Sequence, residues 1–245
     1  MDAGSSGPGD RASLWGAVSS RTCLAHPAGD GLESPEAGAA GSRTGRGSDP
    51  AMARGGVAPG EKNAHDQGWS IVLMDESGFM LQPVVRRTWA PKGETPIQYS
   101  WDRHDRLSTM AAITLSPQRR RLRLYFQIRD RNITSREVMR FLQWIHRHLR
   151  RKLIVVMDRY SVHRKAVRLL QEAGVEWLEV AWLPSYAPEL NPVEMVWNHT
   201  KYADLANFLP EDIHDLQQAV SASLERTGDE EHLLRSFFQY AGLEL

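Results

Sequence analysis

Two apolar runs do most to limit how this chain can fold: 71–74 within IVLMDESG and 153–157 within LIVVMDRYSVH. Both are short, rich in β-branched residues and free of polar alternation, so they read as buried strands of an α/β sheet. Each run delivers an aspartate, Asp75 or Asp158, at its C-terminal edge, where open α/β sheets place their sites. A third acid, Glu194 in WLPSYAPELNPVEMVW, follows a Pro-rich loop and opens a helix. Carboxylates from separate elements converging on one sheet edge suit hard divalent cations, which need ionised oxygen ligands.

The rest of the chain can be ordered around those runs. Residues 1–65 are dominated by Gly, Ala, Ser, Pro and Arg, without a sustained period of two or 3.6. Such a segment buries too little apolar surface to offset its ordering entropy, and it is expected to be disordered, with Leu14 and Trp15 as isolated apolar residues. A folded domain is expected over 66–245. Strands are expected at 70–76, 108–115, 121–128, 153–157 and 175–183. The second and third form a hairpin through SPQRR at 116–120. A helix capped by Thr134 or Ser135 runs to about Arg151, with Val138, Phe141, Leu142, Ile145 and Leu149 on its apolar face. A second helix over 161–173 stops at Gly174 and links two strands in a unit whose default is parallel and right-handed. Helices at about 192–206, 211–226 and 229–241 close the chain.

Charge and cysteine content narrow the function classes. With 30 basic and 30 acidic residues the formal charge is zero, so DNA binding falls to local basic patches rather than a uniformly basic surface. The single Cys23 excludes an internal disulfide framework or a cysteine-rich zinc module. No apolar run reaches membrane-spanning length, and the N-terminus lacks a secretory pattern.

Positions 158 and 194 leave 35 residues between the second and third acids. With DESGF at 75–79, RTWAPKGETP at 87–96, MDRYSVHR at 157–164 and LPSYAPELNPVEMVW at 183–197, this spacing resembles the DDE transposases of bacterial insertion sequences, specifically the insertion sequence 630 family within the mariner-like superfamily. The resemblance runs from about Lys62 to the C-terminus. It implies an RNase H-like fold, a mixed five-stranded sheet flanked by helices, with the first acid on the first strand, the second on the fourth and the third on a later helix. It further implies that Asp75, Asp158 and Glu194 are the catalytic residues and hold two Mg²⁺ or Mn²⁺ ions. The implied reaction is hydrolytic DNA cleavage followed by strand transfer of the freed 3′ ends. The implied partners are transposon ends, target duplex and a second copy of the chain, in the bacterial cytoplasm and on the nucleoid when DNA is bound, with no membrane.

Neighbouring acids compete for these roles. Glu76 adjoins Asp75, but consecutive strand residues face opposite ways, so one alone enters the site, and Asp75 is chosen. Glu189 sits in a loop, whereas Glu194 sits just inside a helix that can fix its direction. Asn191 is read as the cap of that helix and Pro192 as part of its first turn. His163, five residues after Asp158, either reaches back to the metal site or a scissile phosphate, or packs locally. Arg159 touches phosphate if it points inward and is plain surface otherwise. Arg86, Arg87 and Lys92 flank Trp89 in a mixture suited to tracking a DNA backbone and stacking on bases; the alternative is a solvated loop with a buried Trp. The RRRLR and RHLRRK clusters at 119–123 and 147–152 carry less weight.

Members of the resembled family carry helix-turn-helix modules before the catalytic domain, and residues 1–65 lack the apolar spacing to pack one. The segment is expected to be an out-of-frame or replaced remnant, leaving a truncated transposase with weak, unspecific nicking. Two other readings keep the acids: another RNase H-like nuclease, or a non-enzymatic DNA-binding or dimerisation remnant.

Overall fold

The structure is a computed structural model and describes residues 15–17, 67–89, 97, 99, 105–185 and 187–243. Its strands are β1 (Trp15–Ala17), β2 (Ser70–Met80), β3 (Arg106–Leu115), β4 (Leu122–Arg129), β5 (Leu153–Met157) and β6 (Leu178–Trp182). The helices are α1 (Ser135–Leu149), α2 (Ser161–Glu172), α3 (Val193–His199), α4 (Ile213–Asp229) and α5 (Glu231–Tyr240), and α3 continues into a π-helical stretch, Thr200–Asp204. The strand order is β1-β4-β3-β2-β5-β6. Pairing is antiparallel from β1 to β2 and parallel for β2/β5 and β5/β6. Strands β2–β6 make the expected five-stranded mixed sheet. The backbone of Trp15–Ala17 adds a short sixth strand against Tyr125–Gln127, so this piece of the expected disordered segment is paired. The remainder of 1–65 lies outside the described residues.

The strands are apolar on consecutive positions because both faces are covered. Ile71, Leu73, Ile113, Phe126, Ile154 and Val156 face α3, α4 and α5. Val72, Met74, Met110, Ala112, Val155 and Met157 face α1 and α2. Alternate residues therefore enter different cores, as a period of two requires.

Local chemistry sets the element ends. At α1, Thr134 and Glu137 form a reciprocal capping box, with the Thr134 N–H donating to Glu137 Oε2 at 2.7 Å. The hairpin turn closes on Ser116, whose Oγ accepts from the N–H groups of Arg120 and Arg121. Helix α2 ends through Gly174 at φ +69, and the Val175 N–H returns to Leu170 O at 3.2 Å. That closure holds Val175 in the helix cap, which is why β6 begins at Leu178 rather than 175. Helix α4 starts later than 211 because Asp212 is the cap, accepting at 2.8 Å from the N–H groups of His214 and Asp215.

Candidate active site

Parallel register between β2 and β5 aligns the first two acids. Ser70 pairs with Leu153 and Leu73 with Val156, so Asp75 and Asp158 continue the same register two residues beyond the last pair. Strand β2 runs on to Met80, paired with β3, whereas β5 stops at Met157. Asp75 therefore lies mid-strand, beside the point where its parallel neighbour ends, a refinement of the expected strand terminus. Side-chain alternation sends it to the face covered by α3, with Leu73 and Val156.

Helix α3 brings Glu194 to that face. Asn191 pins its start: Oδ1 accepts from the Val193 N–H at 3.2 Å, and Nδ2 donates to Met74 O at 3.1 Å. The cap expected at Asn191 is thus present and also ties α3 to β2 one residue before Asp75. Pro192 supplies the first helical turn, with φ −62. Glu189 lies in the preceding short 3-10 turn and is exposed.

Two of the three acids accept hydrogen bonds from the protein. Trp197 Nε1 donates to Asp75 Oδ2 at 3.0 Å. Asp158 Oδ1 accepts from the Tyr160 N–H at 3.1 Å and lies 2.6 Å from His163 Nδ1. Lys201, in the π-helical stretch, donates to Ser77 Oγ at 2.7 Å and lies over the Phe79 ring at 5.2 Å. Burial, then Glu194 and Asp158, push the Asp75 acid up from 3.8 to about 7, against the N–H groups of Glu76 and Trp197. Burial also raises Glu194; Lys201 opposes this and Asp158 adds to it. The Lys201 ammonium is pulled down by burial despite the pull of Glu194 and Asp75. The three carboxylates thus repel one another at one sheet edge, with Lys201 set against Glu194 and Asp75. Among the described residues, no three His, Cys, Asp or Glu side chains form a ready-made metal cage. Trp197 and His163 hold two of the acids instead.

Residues 70–217 match the family model of the DDE superfamily endonucleases. The chain belongs to this family. No curated protein matches it at a significant level. Among solved structures it is similar to the Mos1 mariner paired-end complex with Mn, at 14% identity and TM-score 0.52 over 84% of this chain and 64% of that one. It is also similar to the Mos1 strand transfer complex, at 16% identity and TM-score 0.50 over 74% of this chain and 57% of that one. A third similar structure is the Mos1 paired-end complex with Mg, at 15% identity and TM-score 0.50, over 74% and 59% respectively. The chain therefore spans less than two thirds of the Mos1 chains it matches. What these likenesses establish is the RNase H-like α/β fold.

The remaining expected residues of this DDE superfamily endonuclease are distributed unevenly. His163, 2% exposed, sits between Asp158 and Glu76, whose Oε1 is 3.3 Å from its Nε2. Burial opposes the charged ring, but Glu76 and Asp158 together hold its pKa above the ordinary value. Arg159 occupies the exposed turn between β5 and α2. Arg86 is tied elsewhere: its N–H donates to Asn207 Oδ1, and its guanidinium donates to Tyr202 O and lies over the Tyr202 ring. Arg87 is exposed, and Trp89 is 86% exposed, which removes the buried-Trp alternative. Lys92 lies outside the described residues.

The motifs do not mark Trp197, Lys201 or Glu76 as site residues. Trp197 and Lys201 fall three and seven residues after Glu194, one and two helical turns along, and that spacing is the signal that could have found them.

Proposed function

We propose that this DDE superfamily endonuclease is a transposase of the insertion sequence 630 type, performing metal-dependent DNA cleavage and strand transfer. The observation that carries the reading is the acidic edge shared by Asp75, Asp158 and Glu194, where burial and the neighbouring carboxylates push the Asp75 carboxyl up to about 7. Those three residues would hold two Mg²⁺ or Mn²⁺ ions. When bound, such ions supply activation of water or a 3′-hydroxyl and stabilisation of the leaving oxygen. The chain's own part is to aim the ligands: Asn191 orients α3 and Glu194, while the Trp197 N–H holds Asp75. Mos1 complexes with Mn and with Mg, of similar fold, support the choice of cation.

DNA is the proposed substrate and partner, as transposon ends and target duplex. Exposed Arg87 and Trp89 offer a cation beside an aromatic for backbone and base contact, with Lys92, Arg86 and Arg159 as further candidates. We assign the chain a homodimeric state and a place in the bacterial cytoplasm, at the nucleoid when it is DNA-bound. No helix among the described residues is long and apolar enough to cross a membrane.

A second reading, a non-enzymatic remnant, draws on the engagement of two acids by Trp197 and His163 in place of a cage. One assay separates the two. The full chain is incubated with inverted-repeat and with random duplex DNA, with Mn²⁺ or with a chelator, beside Asp158→Ala. Expected is weak Mn²⁺-dependent nicking, lowered at least about a hundredfold by the substitution. Nicking that survives Asp158→Ala or chelation removes the assigned site, and no Mn²⁺-dependent nicking on either DNA favours the remnant.

A further inference from the structure

A buried histidine between two carboxylates joins the candidate site to the opposite face of the sheet. Asp75 points to the α3 side, so its neighbour Glu76 points to the α2 side. There His163, in the first turn of α2, presents one ring nitrogen to each of two acids. Nδ1 lies 2.6 Å from Asp158 Oδ1, and Nε2 lies 3.3 Å from Glu76 Oε1. An ionised carboxylate oxygen only accepts, so both ring nitrogens donate when the ring is the imidazolium, and a neutral ring donates at one of the two contacts. The Tyr160 N–H also falls on Oδ1 of Asp158, and the Tyr160 ring stands edge-on to the imidazole at 6.0 Å. Among the described residues, both donors to this carboxylate thus meet the same oxygen, and Oδ2 is the one left for a cation.

We propose that Glu76 and His163 are positioning residues, a hydrogen-bonded chain that sets the Asp158 carboxylate so that Oδ2 is presented to a divalent cation. This rests on the metal-dependent reading of the site. It assigns a role to the acid passed over in favour of Asp75, and it casts His163 as a group acting through Asp158 rather than on phosphate. Side chains that hydrogen-bond a metal ligand orient it, and removing them weakens metal affinity by roughly 10–100-fold.

Two isosteric substitutions divide the histidine's contacts. His163→Asn keeps a donor near the Nδ1 position and hence the bond to Asp158; His163→Gln keeps one near Nε2 and hence the bond to Glu76. Mn²⁺ affinity is measured on the full chain by calorimetry, with Asp158→Asn and Glu76→Gln alongside. The chain predicts that His163→Gln weakens binding at least about tenfold, and that His163→Asn and Glu76→Gln, which both disturb the Glu76 link but leave the bond to Asp158, weaken it by a similar and smaller, several-fold amount. Equal affinities for the Asn and Gln variants overturn the proposal, because a purely structural histidine would not distinguish them. Should both histidine variants fail to fold, partly exposed Glu76 decides: unchanged affinity in Glu76→Gln refutes the chain, and a several-fold loss supports it. If Asp158→Asn binds Mn²⁺ like the starting protein, the metal site itself fails and the proposal with it. Binding that needs Asp158 but ignores both Glu76 and the choice of Asn or Gln at 163 removes the positioning chain alone.

Discussion

Asp75 carries the heaviest electrostatic load among the described carboxylates, and its consequence can be read without any substrate. Its folded-state pKa, about 7, lies above the ordinary 3.8. The protonated form is therefore the favoured one in the fold. Stability tied to it is fully present below about pH 4 and is lost as pH rises through about 7. The metal-free protein is expected to melt at progressively lower temperature from pH 5 to pH 8, and Asp75→Asn is expected to flatten that slope. Thermal denaturation in chelator across this range checks it; a slope identical in the variant would assign the effect elsewhere. The position of Asp75 was legible from its apolar run. Its charge state was not, because the groups that set it, Glu194 and Asp158, come from distant parts of the chain.

Strand and helix limits followed local chemistry, and where they moved, a cap or a neighbour moved them. Strand β5 matched its apolar run residue for residue. Strand β2 outran its expected end because β3 goes on pairing through Met80, a contact that the polar ESG sequence does not advertise. The third expected helix, 192–206, is instead α3 followed by a π-helical stretch, and that extra residue per turn lies where Lys201 approaches Ser77 and Phe79. Asn191 is the joint between these elements, 4% exposed and bonded to both β2 and α3. Asn191→Ala is expected to cost about 1–3 kcal/mol through the lost cap and an unpaired Met74 carbonyl. Cleavage should fall further, at least about tenfold under conditions where the variant is fully folded, because Glu194 loses its aim. Urea unfolding and nicking measured on the same preparation test both parts; full nicking by the folded variant would show that α3 needs no such joint.

At the scale of the whole molecule, the sheet is a wall between two cores, and the acidic edge depends on both. The family match ends at residue 217, yet Val220, Leu224, Leu234, Phe237 and Phe238 of α4 and α5 are buried in the core beneath α3. At about 1.5–3 kcal/mol for each buried side chain, their loss is on the order of 10 kcal/mol, the size of a domain's total stability. A chain stopped after residue 217 is expected to lose cooperative unfolding, and a sharp calorimetric transition in it would contradict this account of the core. The sequence by itself determined the strand runs, the helical faces and the three acids with their spacing, because these depend on local periodicity and on residues near in the chain. It was also enough for the RNase H-like expectation that the fold bears out. Tertiary structure alone decided which donor meets which carboxylate: Trp197 on Asp75 across 122 positions, and His163 against Glu76 across 87. Such pairings arise when packed layers bring side chains together at a sheet edge, and no local period in the sequence records them.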